Sequence, residues 1–146
     1  MVLRRFYSAR PAPVGMESGA ILDSWITASS IFSAGYAAHQ ARLHFKEGGG
    51  KTGSWSVGIG DNNAWLQVDL QQTTRLTGIA TQGRNSNDWY QWVTTYKLQY
   101  GEDGHAFTFY RRNGDHSDTV CKNCLGKTSM CMVSKSSNRA SKQTLT

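Results

Sequence analysis

No run of apolar residues in the sequence approaches the length of a membrane span, which excludes a transmembrane helix. The first ten residues, Met1 to Arg10, lack the apolar middle of a secretory signal. They are Arg-rich and acid-free, in faint likeness to an organelle transit segment; the plainer expectation is an upstream piece of a larger or misassembled gene product. Cysteine is absent before position 121, and a total of three leaves at least one thiol unpaired. Acidic residues are absent from both ends, 1–16 and 121–146, so the net charge of +6 is a property of the ends. The body, 17–120, sets eight basic residues against all ten acidic ones. A nucleic-acid groove needs a basic stripe on the folded body, and none is visible. A catalytic constellation is also missing: His39, His44, His105 and His116 share no motif with a nucleophile or a carboxylate. These absences exclude nucleic acid as a partner and argue against an enzyme within the chain.

Period-two patterns are what the sequence does contain. From Trp65 to Leu70 the side chains alternate, with Leu66, Val68 and Leu70 on one face and Trp65, Gln67 and Asp69 on the other. That is the pattern of a strand with one face toward a core. Gln71 to Thr74 reads as a reversal, and Leu76 to Thr81 as a second strand in which Gly78 marks a close approach. Ile26 to Ser30 is a short extended run. In Thr94–Tyr100, Tyr96, Leu98 and Tyr100 share a face, and Glu102-Asp-Gly104 supplies a tight turn into Ala106–Tyr110. Helical spacing is scarce, so the body reads as all-β and antiparallel.

The sequence divides into a leader, 1–12, expected to be disordered; a body, 13–120; and a Ser-, Thr- and Lys-rich tail, 121–146, without aromatics or a periodic apolar face. Such a tail cannot offset its own ordering entropy and is expected to be disordered. Cys121, Cys124 and Cys131 with His116 offer zinc-ligand chemistry, but low-complexity flanks are unlike a zinc knuckle; no metal site and no cofactor are expected.

Gly15–Gly19, Ile26–Ser30, Ala41–Leu43, Trp65–Leu70, Thr77–Arg84 and Tyr96–Tyr100 with Asp103-Gly104 together resemble, in order and spacing, the discoidin domain, the C-type domain of coagulation factors V and VIII. The resemblance covers roughly 13–120, about two-thirds of a full domain. It implies an antiparallel jelly-roll β-barrel of galactose-binding type, incomplete here, because nothing after Val120 reads as its closing strands and the family's closing cysteine near position 10 is Arg10. It also implies a non-catalytic extracellular or cell-surface module for adhesion. Its partners would be a glycan, a phospholipid head group at a peripheral membrane contact, or a protein. Alternatives are an accessory domain fragment of a larger receptor or carbohydrate-active enzyme and, more distantly, a small zinc-binding intracellular protein.

The resemblance places ligand contacts in three loops, 31–40, 55–63 and 85–92. Phe32, Tyr36, Trp89, Tyr90 and Trp92 are set there among Gly, Ser and Asn, a composition suited to stacking on sugars, entering a membrane interface or anchoring a protein. His39, Asp61 and Arg84 complete the candidate set. Asp61 falls where several members of the family place an acidic group in the pocket. Against these stand plainer roles: Trp55 and Trp65 as core, Phe32 and Tyr36 as folded-back lids, Trp92 as a strand opening, and Arg84 with Asp88 as a surface ion pair.

Overall fold

Alternation at 66–70 produces the first half of β4 (Leu66–Arg75), which pairs antiparallel with β1 (Ile26–Ala28) in the register Ile26↔Val68, Thr27↔Gln67, Ala28↔Leu66. The computed structural model describes residues 13–76, 78–112, 114–122, 129–131 and 139–145. Leu66, Ile26 and Ile21 are buried together, with Val68, Leu70 and Trp55 packed against them. Burying each such aliphatic side chain contributes about 1.5–3 kcal/mol. A second buried cluster comes from the other alternating run: Tyr96 and Leu98 of β6 (Thr95–Gly101) with Tyr110. The turn at 102–104 forms as expected. Gly104 takes φ +78°, Asp103 Oδ1 accepts from the N–H groups of His105 and Ala106, and β7 (Thr108–Phe109) returns against β6.

The remaining strands are β2 (Glu47–Gly48), β3 (Lys51–Thr52), β5 (Ile79–Thr81), β8 (Val120–Lys122), β9 (Ser129–Cys131) and β10 (Arg139–Leu145). Among the described residues helix is confined to three short 3-10 turns, Asp23–Trp25, Ala34–Tyr36 and Ala38–Ala41. One sheet runs β1-β4-β10-β6-β7, with β8 also paired antiparallel to β6; β2–β3 and β5–β9 form two small antiparallel pairs. The fold is all-β and antiparallel, a jelly-roll in which the described sheets are not closed into a barrel.

Three strand expectations need correction. The segment 71–74 is not a reversal: β4 runs through it, and the departure is a bulge opposite Ala140–Lys142, with Gln71 at φ +60° and its N–H bonded to Asp69 Oδ1. Strand β5 pairs with β9 rather than with β4, and a Cβ at Gly78 would meet nothing within 4 Å among the described residues. The tail, read as strandless, contains β8, β9 and β10. Strand β10 lies between β4 and β6, with Leu145 in register with Leu66 on one side and Leu98 on the other. Backbone pairing needs no apolar alternation, which is why composition hides this strand. The expectation of disorder for 1–12 lies outside the described residues, as it does for 123–128, 132–138 and 146.

Arg42 fastens the N-terminal segment to this frame. The residue is 9% exposed, and its guanidinium donates to Met16 O (2.8 Å), Ile21 O (2.5 Å) and Asp23 Oδ1 (2.6 Å). Asp23 remains largely solvent-exposed, so Arg42→Met leaves orphaned carbonyls rather than a buried charge. The expected cost is about 2–3 kcal/mol, read as a lower midpoint in urea unfolding.

Candidate functional site

Ser30, just past β1, joins the first two loops. Its hydroxyl donates to Asp61 Oδ2 (2.6 Å) and accepts from Gly58 N (3.0 Å), and its carbonyl accepts from Trp55 Nε1 (2.9 Å). Phe32 N donates to Ser56 O at 2.8 Å. Behind them Gln40, 1% exposed, bridges the first loop to β3 through Gly35 O (2.6 Å) and Thr52 N (2.9 Å). A buried amide with both ends satisfied is a rigid strut. Sequence reading missed Gln40, because a glutamine in a loop carries no pattern that foretells burial.

The third loop is closed by the approach of 83–84 to 91–92. A Cβ at Gly83 would lie 2.8 Å from Gln91 O and 3.0 Å from Trp92 Cβ, so only glycine fits, and Arg84 N donates to Gln91 O at 2.7 Å. The Arg84 side chain reaches back across the loops. Nε donates to Thr52 O (3.0 Å) and Nη1 to Gln91 Oε1 (3.0 Å), while Cζ stands 5.5 Å from the Tyr36 ring centre and 5.7 Å from that of Trp89. Phe32 meets Tyr36 edge-to-face at 5.4 Å. Phe32, Tyr36, Arg84 and Trp89 are thus one contiguous group, a cation flanked by rings. Among the described residues Arg84 makes no ion pair with Asp88.

The other candidates lie apart from this group or serve a different purpose. His39 meets Phe45 edge-on at 5.9 Å, on the side of the first loop where Lys51 lies over Phe45. Tyr90 is 71% exposed, and Trp92, beside Gly83, is 43% exposed. Trp55 is core, as its plainer role has it. His44 does have a carboxylate partner: its Nδ1 lies 2.6 Å from Glu17 Oε1, with both side chains about half exposed. Cys124 lies outside the described residues, so the cysteine–histidine cluster does too. The omission of most consequence is Ile59, 91% exposed between Gly58 and Gly60 at the tip of the second loop. An aliphatic residue between two glycines was the available signal.

Asp61 organises the second loop. Hydrogen bonds from the Ser29 and Ser30 hydroxyls, then from Asn63 N, hold its carboxyl below the ordinary value of 3.8 despite some desolvation. A depressed folded pKa means the stabilisation is complete above 3.8 and is lost as pH falls through the lower folded value. Unfolding midpoints measured from about pH 5 to about pH 2 should fall more gently in Asp61→Asn than in the wild type; parallel curves would refute this linkage.

What this geometry defines is an all-β domain whose loops gather exposed rings around one arginine. Residues 25–129 match the F5/8 type C domain, and the chain belongs to that family. It is 41% identical over 114 residues to human EGF-like repeat and discoidin I-like domain-containing protein 3, covering 74% of this chain and 23% of that protein. It is 43% identical over 105 residues to mouse coagulation factor VIII, covering 70% of this chain and 4% of that protein. The chain therefore spans less than a quarter of the length of these curated relatives. Among solved structures, CpGH89CBM32-5 from Clostridium perfringens, in complex with GalNAc-beta-1,3-galactose, shares the fold. It superposes with a TM-score of 0.56 at 17% identity, over 86% of this chain and 85% of that one.

Proposed function

We propose that this chain is a non-catalytic binding module of the extracellular space or cell surface, and that its loop end engages phospholipid membranes bearing anionic head groups. The observation that carries this reading is the joint exposure of Ile59 (91%), Phe32 (53%) and Trp89 (57%) on polar, glycine-rich loops. Exposed apolar groups that project together are matched by an apolar or interfacial partner. A sugar face accepts rings but has little use for an isoleucine tip, whereas a membrane interface takes both. Arg84 supplies a cation among the rings for a phosphate or carboxylate of the head group. Among the described residues no helix is long and apolar enough to cross a membrane, so the contact proposed is peripheral.

A second reading, glycan recognition, is favoured by the Tyr36–Arg84–Trp89 arrangement and by the sugar bound in the fold neighbour. On either reading the role proposed for this surface is adhesive, holding the protein to a cell. Ile59→Ser separates the two. Partition onto phosphatidylcholine vesicles containing phosphatidylserine should fall about ten- to a hundredfold, since burying an isoleucine is worth roughly 1.5–3 kcal/mol. Glycan-array binding unaltered by Ile59→Ser, in a protein that ignores vesicles, would establish the second reading instead.

A further inference from the structure

The β2–β3 hairpin stands between the first and third loops. On one side Thr52 takes the first loop: its N–H donates to Gln40 Oε1 (2.9 Å) and its hydroxyl to Gly35 O (2.8 Å), while its carbonyl accepts from Arg84 Nε (3.0 Å). Directly across the ladder from Thr52 is Glu47, which faces the third loop. Its backbone N–H donates to Asn85 O (3.4 Å), its Oε1 accepts from Asn87 N (2.8 Å), and the Ser86 hydroxyl hydrogen-bonds the carboxylate. Asn85 is held additionally through Gly53 O and His44 O. For Ser86 and Asn87, the bonds that leave the loop lead to Glu47. Ser86 is buried, and its oxygen also accepts from Asp88 N (3.3 Å), one residue before Trp89.

We infer that Glu47 is a positioning residue: its carboxylate sets the pose of residues 86–88, and thereby the placement of the Trp89 ring against Arg84 and Tyr36. The inference rests on the reading of these loops as the binding face. A carboxylate receiving a backbone N–H and a hydroxyl makes charge-assisted bonds, stronger than neutral ones and suited to holding a loop that has little apolar surface of its own. The same bonds, with the Arg84 charge nearby, keep the group ionised below its usual range.

The test uses the full chain with Glu47→Ala and Glu47→Gln, read by amide hydrogen exchange and by partition onto phosphatidylcholine–phosphatidylserine vesicles. Glu47→Ala should speed exchange at Asn87 by about tenfold, leave amides of β4 and β6 unchanged, and weaken vesicle binding by a similar factor. Glu47→Gln keeps an acceptor oxygen and should stay within about threefold of wild type in both measurements. Unchanged exchange at Asn87 in Glu47→Ala, equal damage from both variants, or strand amides accelerating with the loop would each overturn the inference. So would faster exchange with vesicle binding intact. A wild-type chain that ignores vesicles defeats the membrane reading, and the exchange measurements then decide the clamp by themselves.

Discussion

Alanine at both Tyr36 and Trp89 is expected to abolish binding to anionic vesicles, while removal of residues 1–12 changes it little. The two rings flank Arg84 at 5.5 and 5.7 Å and present large faces with few internal degrees of freedom. Truncating such an anchor costs about 2 kcal/mol or more, so losing both should weaken binding by about a thousandfold. Neither residue belongs to the buried clusters, so the double variant should keep the wild-type unfolding midpoint. The competing account assigns binding to the basic leader, Arg4, Arg5 and Arg10, through long-range attraction that salt screens. A double variant that binds normally, with binding eliminated by salt or by trimming 1–12, would sink the loop mechanism.

Deleting residues 139–146 should remove cooperative unfolding altogether. Strand β10 pairs β4 across Leu66–Asp69 and Thr74–Arg75, and β6 across Leu98–Gly101. Without it, the two longest strands of the body lose their shared partner and both buried clusters lose the sheet that joins them. Two exposed edges of that length invite intermolecular pairing. Near-UV circular dichroism on heating should then show a broad, early transition with aggregation. A truncated chain that melts like the intact one would mean β10 contributes no net stability. This expectation reverses what the tail's composition implies, since a Ser-, Thr- and Lys-rich segment has no apolar stripe to bury.

Legibility followed the kind of interaction involved. The alternations at 66–70 and 96–100 were readable because one-sided burial writes a period of two into the side chains, and Leu66, Tyr96 and Leu98 are buried accordingly. The turn at Gly104 was readable because its backbone demands a positive φ. At Gln71 the local signal was present but ambiguous: polar residues interrupting a strand serve a bulge as readily as a reversal, and only the partner strand distinguishes them. The ring-bearing loops followed from the family resemblance, and their composition from the residues themselves. That Phe32, Tyr36, Arg84 and Trp89 would converge while His39 turned to Phe45 could not be read from either, because the contacts span up to 48 positions of chain, from Tyr36 to Arg84.

The sequence by itself determined the all-β class, the family and the candidate loops, since each is encoded in local periodicity, turn residues and motif order. Tertiary structure alone decided that Gln40 would be a buried strut, that Asp61 would bind Ser30 as well as its own loop, and that Glu47 would face residues 85–87. It also decided that β10 would enter the sheet between β4 and β6. These are outcomes of hydrogen-bond satisfaction between distant segments. A polar side chain or a bare backbone edge can satisfy that demand with many partners, and only the folded chain selects which one.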